Sequence, residues 1–288
     1  MIRLFGVRVR LSPLFLIVIL FAYFGHVLDQ VAILFAVVIA HEIGHIFAAH
    51  RFGIKTESIE LLPFGGVAVM RGRLGFDVRE ETLIAAAGPF VNLLFVIATL
   101  PLRASGVLSE AWTNSFVSIN LSIALFNLLP ALPLDGGRIA RAGLALTRGY
   151  HSATKVVTRV SFLVAVVLMG IGGISLVLGY ADLGIFALGL FLLYSAFSLH
   201  RQSRYETLRF LDALRHQQMA TPRPIRSMLA QEDMKLGDVA SQFSPGAYHV
   251  IYVQSTYPKE PRPVTQDEIL DAIFESSGWT LPLRALLS

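Results

Sequence analysis

The stretch 37-VVIAHEIGHIFAAHRFG-53 decides how the rest of the chain is read. An apolar run breaks at His41, Glu42 and His45, then resumes with Ile46, Phe47 and Ala48. Ionisable groups inside an apolar segment are costly and mark function more often than packing. The pattern is H-E-x-x-H. On a helix, positions i and i+4 share a face, so His41 and His45 can reach one metal ion. Neutral imidazole suits Zn2+, at about 2.0–2.1 Å. Glu42 stands beside the first ligand and can take a proton from a water whose pKa the metal lowers to about 7. Helix packing by polar groups is the plainer reading, and it is weak within a membrane span. His26, His50 and His200 read as interfacial.

Composition supports a membrane setting. The 288 residues are 54% hydrophobic and 15% charged, with a mean hydropathy of +0.62; a soluble domain carries roughly 25% charged residues. The chain reads as an integral membrane protein with a small soluble part. It has no cysteine, which excludes a disulfide framework and any thiolate metal site. The net charge is +4, but the arginines cluster beside apolar segments, so membrane topology accounts for them and no nucleic-acid partner is expected. The N-terminus, MIRLFGVRVRLSPLFLIVIL, resembles a signal peptide but lacks a small-x-small cleavage site, and reads as a retained first span.

A span needs about 20 mostly apolar residues. Candidates are 11–28, 31–51, 82–102, 112–134, 160–180 and 183–199, the last two separated by a tight turn near Tyr180. Basic residues follow the even-numbered spans: Arg51, Lys55, Arg71 and Arg73 after the second, Arg138, Arg141 and Arg148 after the fourth, Arg201 and Arg204 after the sixth. The positive-inside rule then predicts six spans in the cell membrane with both termini in the cytosol.

A catalytic zinc uses three protein ligands and an open position. The candidate for the third is Asp135, in 126-FNLLPALPLDGGRIAR-141. Pro130 and Pro133 would break a helix there, and Gly136-Gly137 allows close backbone approach. Both HEIGH and Asp135 fall near the cytosolic ends of their spans. His41 and His45 precede Arg51 by roughly 9–15 Å of helix, so the charge pattern brings the two elements to similar depth. A helix cap is the plainer role for Asp135.

Residues 54–80 are too polar to span and too apolar for a plain loop. ESIELLPFGGVAVMRG alternates, with Gly65-Gly66 at the expected turn, and predicts a membrane-associated β-hairpin. From residue 201 the chain changes character: a charged helical linker (201–220), then a small α+β cytosolic domain (221–288) with a strand at 248-YHVIYVQ-254 and a final helix from about 266. The fold class is mainly α, polytopic, with residues 1–200 as the membrane domain.

HEIGH with NLLPALPLDGG resembles the site-2 protease family of intramembrane zinc metalloproteases (peptidase M50). AGPFVN at 87–92 is similar to that family's AGPxxN element. LLPFGG at 61–66, six spans and the tail are most similar to the stage IV sporulation FB subgroup. The resemblance implies one Zn2+ per chain on His41, His45 and Asp135, with Glu42 as base. It implies that Asn127 helps hold substrate or orient the site, and that the hairpin with Gly65 and Gly66 pairs with an unwound substrate strand. The implied substrate is a membrane-associated proprotein such as a sigma-factor precursor, with inhibitory membrane proteins as further partners. The tail resembles a single CBS domain, implying an adenine-nucleotide site and a homo-oligomer. However, the usual late-strand glycine is missing, and Glu268 stands where Asp is commoner. The rival readings are a metal transporter or a non-catalytic metal-bound scaffold, and a nucleotide-sensing receptor. No internal repeat of the kind transporters carry is visible.

Overall fold

A computed structural model describes residues 2–4, 7–11, 13–62, 65–71, 77–179, 183–216, 222–254, 262–275 and 278–287, with the backbone alone for 2–18, 55–71 and 204. The turns expected at 180–182 and 258–260, the linker residues 217–220 and the start of the tail at 221 lie outside the described residues.

The chain opens with two strands, β1 (Ile2–Leu4) and β2 (Val7–Leu11), before helix α1 (Pro13–Phe24). The first span expected from residue 11 is therefore a helix of 12 residues, preceded by strand. The alternating Val-Arg of 7-VRVRL-11 is a period-2 signal that a topology reading spends entirely on charge. Helix α2 (Leu28–Arg51) carries HEIGH. Strands β3 (Lys55–Leu62) and β4 (Gly65–Arg71) form the expected hairpin. It does not stand alone: β2 pairs with β3 in parallel, giving one sheet ordered β1-β2-β3-β4. Gly65 and Gly66 open β4, opposite Leu62 and Leu61, instead of forming the turn itself.

Helix α3 (Val78–Ala104) starts at Asp77, whose side chain accepts from the Arg79 N–H, with Glu80 and Glu81 favourably placed in its positive first turn. It lies against α2 at a closest approach set by Gly44, where a Cβ would sit 2.8 Å from the Ala87 carbonyl oxygen. Helix α4 (Glu110–Asn127) is capped by Ser109, and α5 (Asp135–Arg148) follows a short loop. Helices α6 (Tyr150–Val177) and α7 (Leu183–Arg215) pack as a long pair. Gly172 meets the Phe186 backbone and Gly189 meets Met169, the close approach that small residues permit between membrane helices. Leu163, Ile174, Val177, Leu183 and Leu190 point outward, over half exposed, as a lipid-facing surface requires.

Among the described residues, four helices are long and apolar enough to cross a membrane: Leu28–Arg51, Val78–Ala104, Tyr150–Val177 and Leu183–Ser203. The protein is a mainly helical membrane protein with small sheets. Helices α1 and α4 stand at the expected first and fourth spans; α4 has 18 residues, interrupted by Asn114, Ser118 and Asn120.

The tail holds β5 (Ile225–Gln231), a short helix α8 (Leu236–Ala240), β6 (Tyr248–Gln254), β7 (Arg262–Thr265) and α9 (Gln266–Glu275). Strand β6 is central, parallel to β5 and antiparallel to β7. Glu268 accepts from both the N–H and the hydroxyl of Thr265, closing a capping box on α9. One apolar core joins the tail to Ala145, Tyr150 and Ala153 and to Phe210, Leu211 and Leu214 of α7. The Tyr150 N–H donates to the Phe243 carbonyl at 3.1 Å.

Candidate metal centre

Helix α2 turns His41, Glu42 and His45 inward, and all three are buried. Their metal-binding atoms lie within 4.8 Å of one another. Asp135, the first residue of α5, is buried with them. Its Oδ2 stands 3.2 Å from Nε2 of His41 and 3.2 Å from Nε2 of His45, while the two Nε2 atoms are 3.1 Å apart. The N-cap of α5 is Leu134, with no side-chain cap hydrogen bond, so the carboxylate faces the imidazoles and does not cap the helix.

The other face of each ring decides what these atoms are. His45 Nδ1 meets the Ile84 carbonyl at 2.7 Å. A carbonyl only accepts, so Nδ1 carries the proton and Nε2 holds a lone pair. His41 Nδ1 meets Asn92 Oδ1 at 2.6 Å, and Asn92 Nδ2 donates to Asn120 Oδ1 at 3.1 Å, so the His41 Nε2 is likewise an acceptor. With both imidazoles neutral, two lone pairs and a carboxylate oxygen converge, an arrangement that a bound cation satisfies. Tetrahedral zinc with bonds of about 2.0–2.2 Å separates its ligand atoms by about 3.3 Å, close to the spacing seen. Room for the ion is left by Gly88 of α3, where a Cβ would lie 2.4 Å from His45 Nε2 and 2.6 Å from His41 Nε2. The residues present fit zinc.

The loop from α4 to α5 is what delivers Asp135. Its turns are closed by Leu129 N–H to Phe126 and Leu134 N–H to Ala131, and its Leu132 N–H is tied to the Ser161 hydroxyl of α6 at 2.7 Å. Gly136 and Gly137 press against it: a Cβ at Gly136 would lie 2.1 Å from the Leu128 carbonyl oxygen. Those glycines are required by packing. Farther along α5, Arg141 forms a buried ion pair with Glu81 of α3 and lies over the Tyr150 ring at 5.2 Å. This clamp holds α5 against α3, the helix that supplies Gly88, Ile84 and Asn92.

Of the remaining residues predicted from sequence, Asn127 ends α4 with its amide donated back to Ile123 at 3.0 Å, and Gly65 and Gly66 lie in β4. Asn92, the last residue of AGPFVN, makes an interhelical hydrogen bond to His41 itself. Asn120 and Glu81 went unread. The signal for both was present: a polar residue in an apolar helix needs a partner.

The comparisons with known proteins agree with this geometry. A family model described as peptidase family M50 matches residues 30–107 and 102–169. A zinc metalloprotease of Methanocaldococcus jannaschii is 32% identical over 199 residues, 67% of this chain and 55% of that protein. Stage IV sporulation protein FB of Bacillus subtilis is 26% identical over 263 residues, 91% of this chain and 90% of that protein. This chain thus spans little more than half of the archaeal relative's length but nine-tenths of the Bacillus protein's. A solved structure, a site-2 protease from Methanocaldococcus jannaschii, superposes with a TM-score of 0.56 at 29% identity, covering 69% of this chain and 93% of that one. These findings support a zinc metallopeptidase of family M50, of the site-2 protease type.

Proposed function

We propose that this protein is an intramembrane zinc endopeptidase that cuts a membrane-spanning or membrane-associated protein near the cytosolic face. The observation that carries the reading is the convergence of His41 Nε2, His45 Nε2 and Asp135 Oδ2, all buried and 3.1–3.2 Å apart. These three residues would hold the zinc. When bound, the ion supplies Lewis-acid polarisation of the scissile carbonyl and a nucleophilic water at neutral pH. Glu42 is the general base: it takes a proton from the attacking water and passes it to the leaving amine.

The substrate must be extended to expose its peptide bond. Among the described residues strand β4 pairs only with β3 in the sheet, so its outer edge is suited to β-augmentation, with Gly65 and Gly66 offering backbone unobstructed by side chains. Asn127, at the end of α4, is the candidate for holding the substrate beyond the cut. Helices α1 and α4 complete six spans, with both termini cytosolic. The long alignment with stage IV sporulation protein FB supports a proprotein substrate of sporulation, such as a sigma-factor precursor, and inhibitory membrane proteins as regulators. The strand order of the tail supports a CBS-like module, which would pair with that of a second chain.

The test is a comparison of protein N-termini, by mass spectrometry, in the native host with wild-type protein or Glu42→Gln, during growth and during sporulation. A new N-terminus near a membrane segment that appears only with the wild type supports the reading. Identical profiles in both conditions, with the protein present and zinc bound, refute it.

A further inference from the structure

The two site histidines are oriented by different means, and the difference assigns roles to residues outside the candidate ligands. His45 is set directly by a backbone carbonyl, that of Ile84. His41 is set through two side-chain amides on two other helices. At the far end, Asn120 Nδ2 donates to the Phe116 carbonyl at 2.9 Å. That carbonyl can only accept, so the NH2 of Asn120 must face it, and its Oδ1 must face Asn92. Asn92 must then turn its own NH2 towards Asn120, at 3.1 Å, leaving its Oδ1 for His41. His41 must in turn carry its proton on Nδ1, 2.6 Å away. Both asparagines are 0% exposed, so no solvent water competes to reset either amide.

We infer that Asn120 and Asn92 form a polar relay, anchored on the Phe116 carbonyl, that holds His41 in the tautomer with a free Nε2 and thereby makes it a metal ligand. The relay rests on the zinc reading above and adds to it that α4 governs metal affinity without contacting the metal. Asn92 and Asn120 are positioning residues. Without Asn120, the Asn92 amide is free to flip, its NH2 then faces His41 Nδ1, and the proton is driven to Nε2, where it blocks the ligand atom. Partners of metal-bound histidines commonly contribute 10–100-fold in metal affinity.

The experiment uses the full chain in nanodiscs with three variants. Asn120→Leu removes the acceptor at similar volume. Asn120→Ser, whose hydroxyl is too short to reach Asn92, stands in if the leucine does not fold. Asn120→Asp keeps an acceptor towards Asn92 in either protonation state. Two readouts are taken: zinc affinity by chelator competition, and the protonated ring nitrogen of His41 in metal-free protein from 15N spectra, assigned by its loss in His41→Gln. The expected result is that Asn120→Leu or Asn120→Ser weakens zinc binding 10–100-fold and shifts the proton towards Nε2, while Asn120→Asp retains both wild-type properties. A merely structural role would lower the melting temperature and leave the tautomer on Nδ1. Unchanged tautomer in the first two variants overturns the relay. If wild-type protein binds no zinc, or binds it equally in His41→Gln, the zinc reading fails instead, and the tautomer alone still decides the relay.

Discussion

Gly88→Ala isolates the space left beside the two histidines. A Cβ there would stand 2.4 Å from His45 Nε2 and 2.6 Å from His41 Nε2, where ordinary van der Waals contact begins at 3.4 Å. The rings must therefore retreat by about 1 Å and 0.8 Å, well beyond the ±0.2 Å that metal–ligand distances tolerate (about). The methyl also crowds the Nε2 atoms of both rings, so it competes with the metal for space beside them. Retreat is resisted by Ile84 and Asn92, which hold the far nitrogens. Stability moves differently: overpacking costs about 1–3 kcal/mol, offset by about 1 kcal/mol of helix propensity gained on replacing glycine. The chain is expected to fold with a melting temperature near that of the wild type and to lose zinc. Metal content of purified protein and chelator competition measure the loss, and a melting curve controls for folding. A folded variant that keeps one zinc per chain at wild-type affinity would refute the placement of the ion beside Gly88.

Other consequences follow from the residues around the centre and in the tail. Glu81→Leu or Arg141→Leu alone leaves a buried charge unpaired and should cost about 3–5 kcal/mol, whereas the double variant should recover most of it; in thermal unfolding of all three, a double loss equal to the sum of the two single losses would show that the pair is not coupled. Ser161→Ala strips the partner from the Leu132 N–H, at about 1–3 kcal/mol, and should weaken zinc binding because the loop carrying Asp135 loosens; an unaltered affinity would show that the loop is held by its glycines alone. In the tail, burial, with Arg226 nearby, holds His249 below its ordinary value of 6.5, against the opposing hydrogen bond to Gln266. The folded tail therefore resists protonation more than the unfolded chain, so its stability is full above about pH 6.5 and falls as the pH drops below that. Hydrogen exchange of residues 248–254 in the full chain, corrected for intrinsic rates, should show protection decreasing from pH 7.5 to 5.5; constant protection would contradict this sign.

The parts of the site that could be read from sequence are those made by local geometry. His41 and His45 share a helix face whatever surrounds them, and Glu42 comes with them. Asp135 was reachable because charge flanks give depth in a membrane and because Pro130, Pro133 and the two glycines mark a broken helix. The hairpin was visible in its alternation, and its extension by β2 was not. Pairing of β2 with β3 spans about fifty residues of chain, and the arginines of that strand carry a topology signal that competes with the strand signal.

What the sequence by itself determined is the membrane setting, the two histidines with their neighbouring glutamate, and the carboxylate that could join them. These follow from composition and from spacings of a few residues, which chain stereochemistry converts directly into position. Tertiary structure alone decided that Oδ2 of Asp135 meets both Nε2 atoms, that Gly88 vacates the space between the rings, and that His41 answers to Asn120 through Asn92. It also decided that the tail shares its core with the α5–α6 junction, where Gly149 adopts a φ of 78° with the Gln242 carbonyl oxygen 2.7 Å from where a Cβ would stand. The physical reason is that a buried polar group must find a partner, but which of several helices supplies it depends on how their surfaces interlock, and no spacing along one chain segment encodes that.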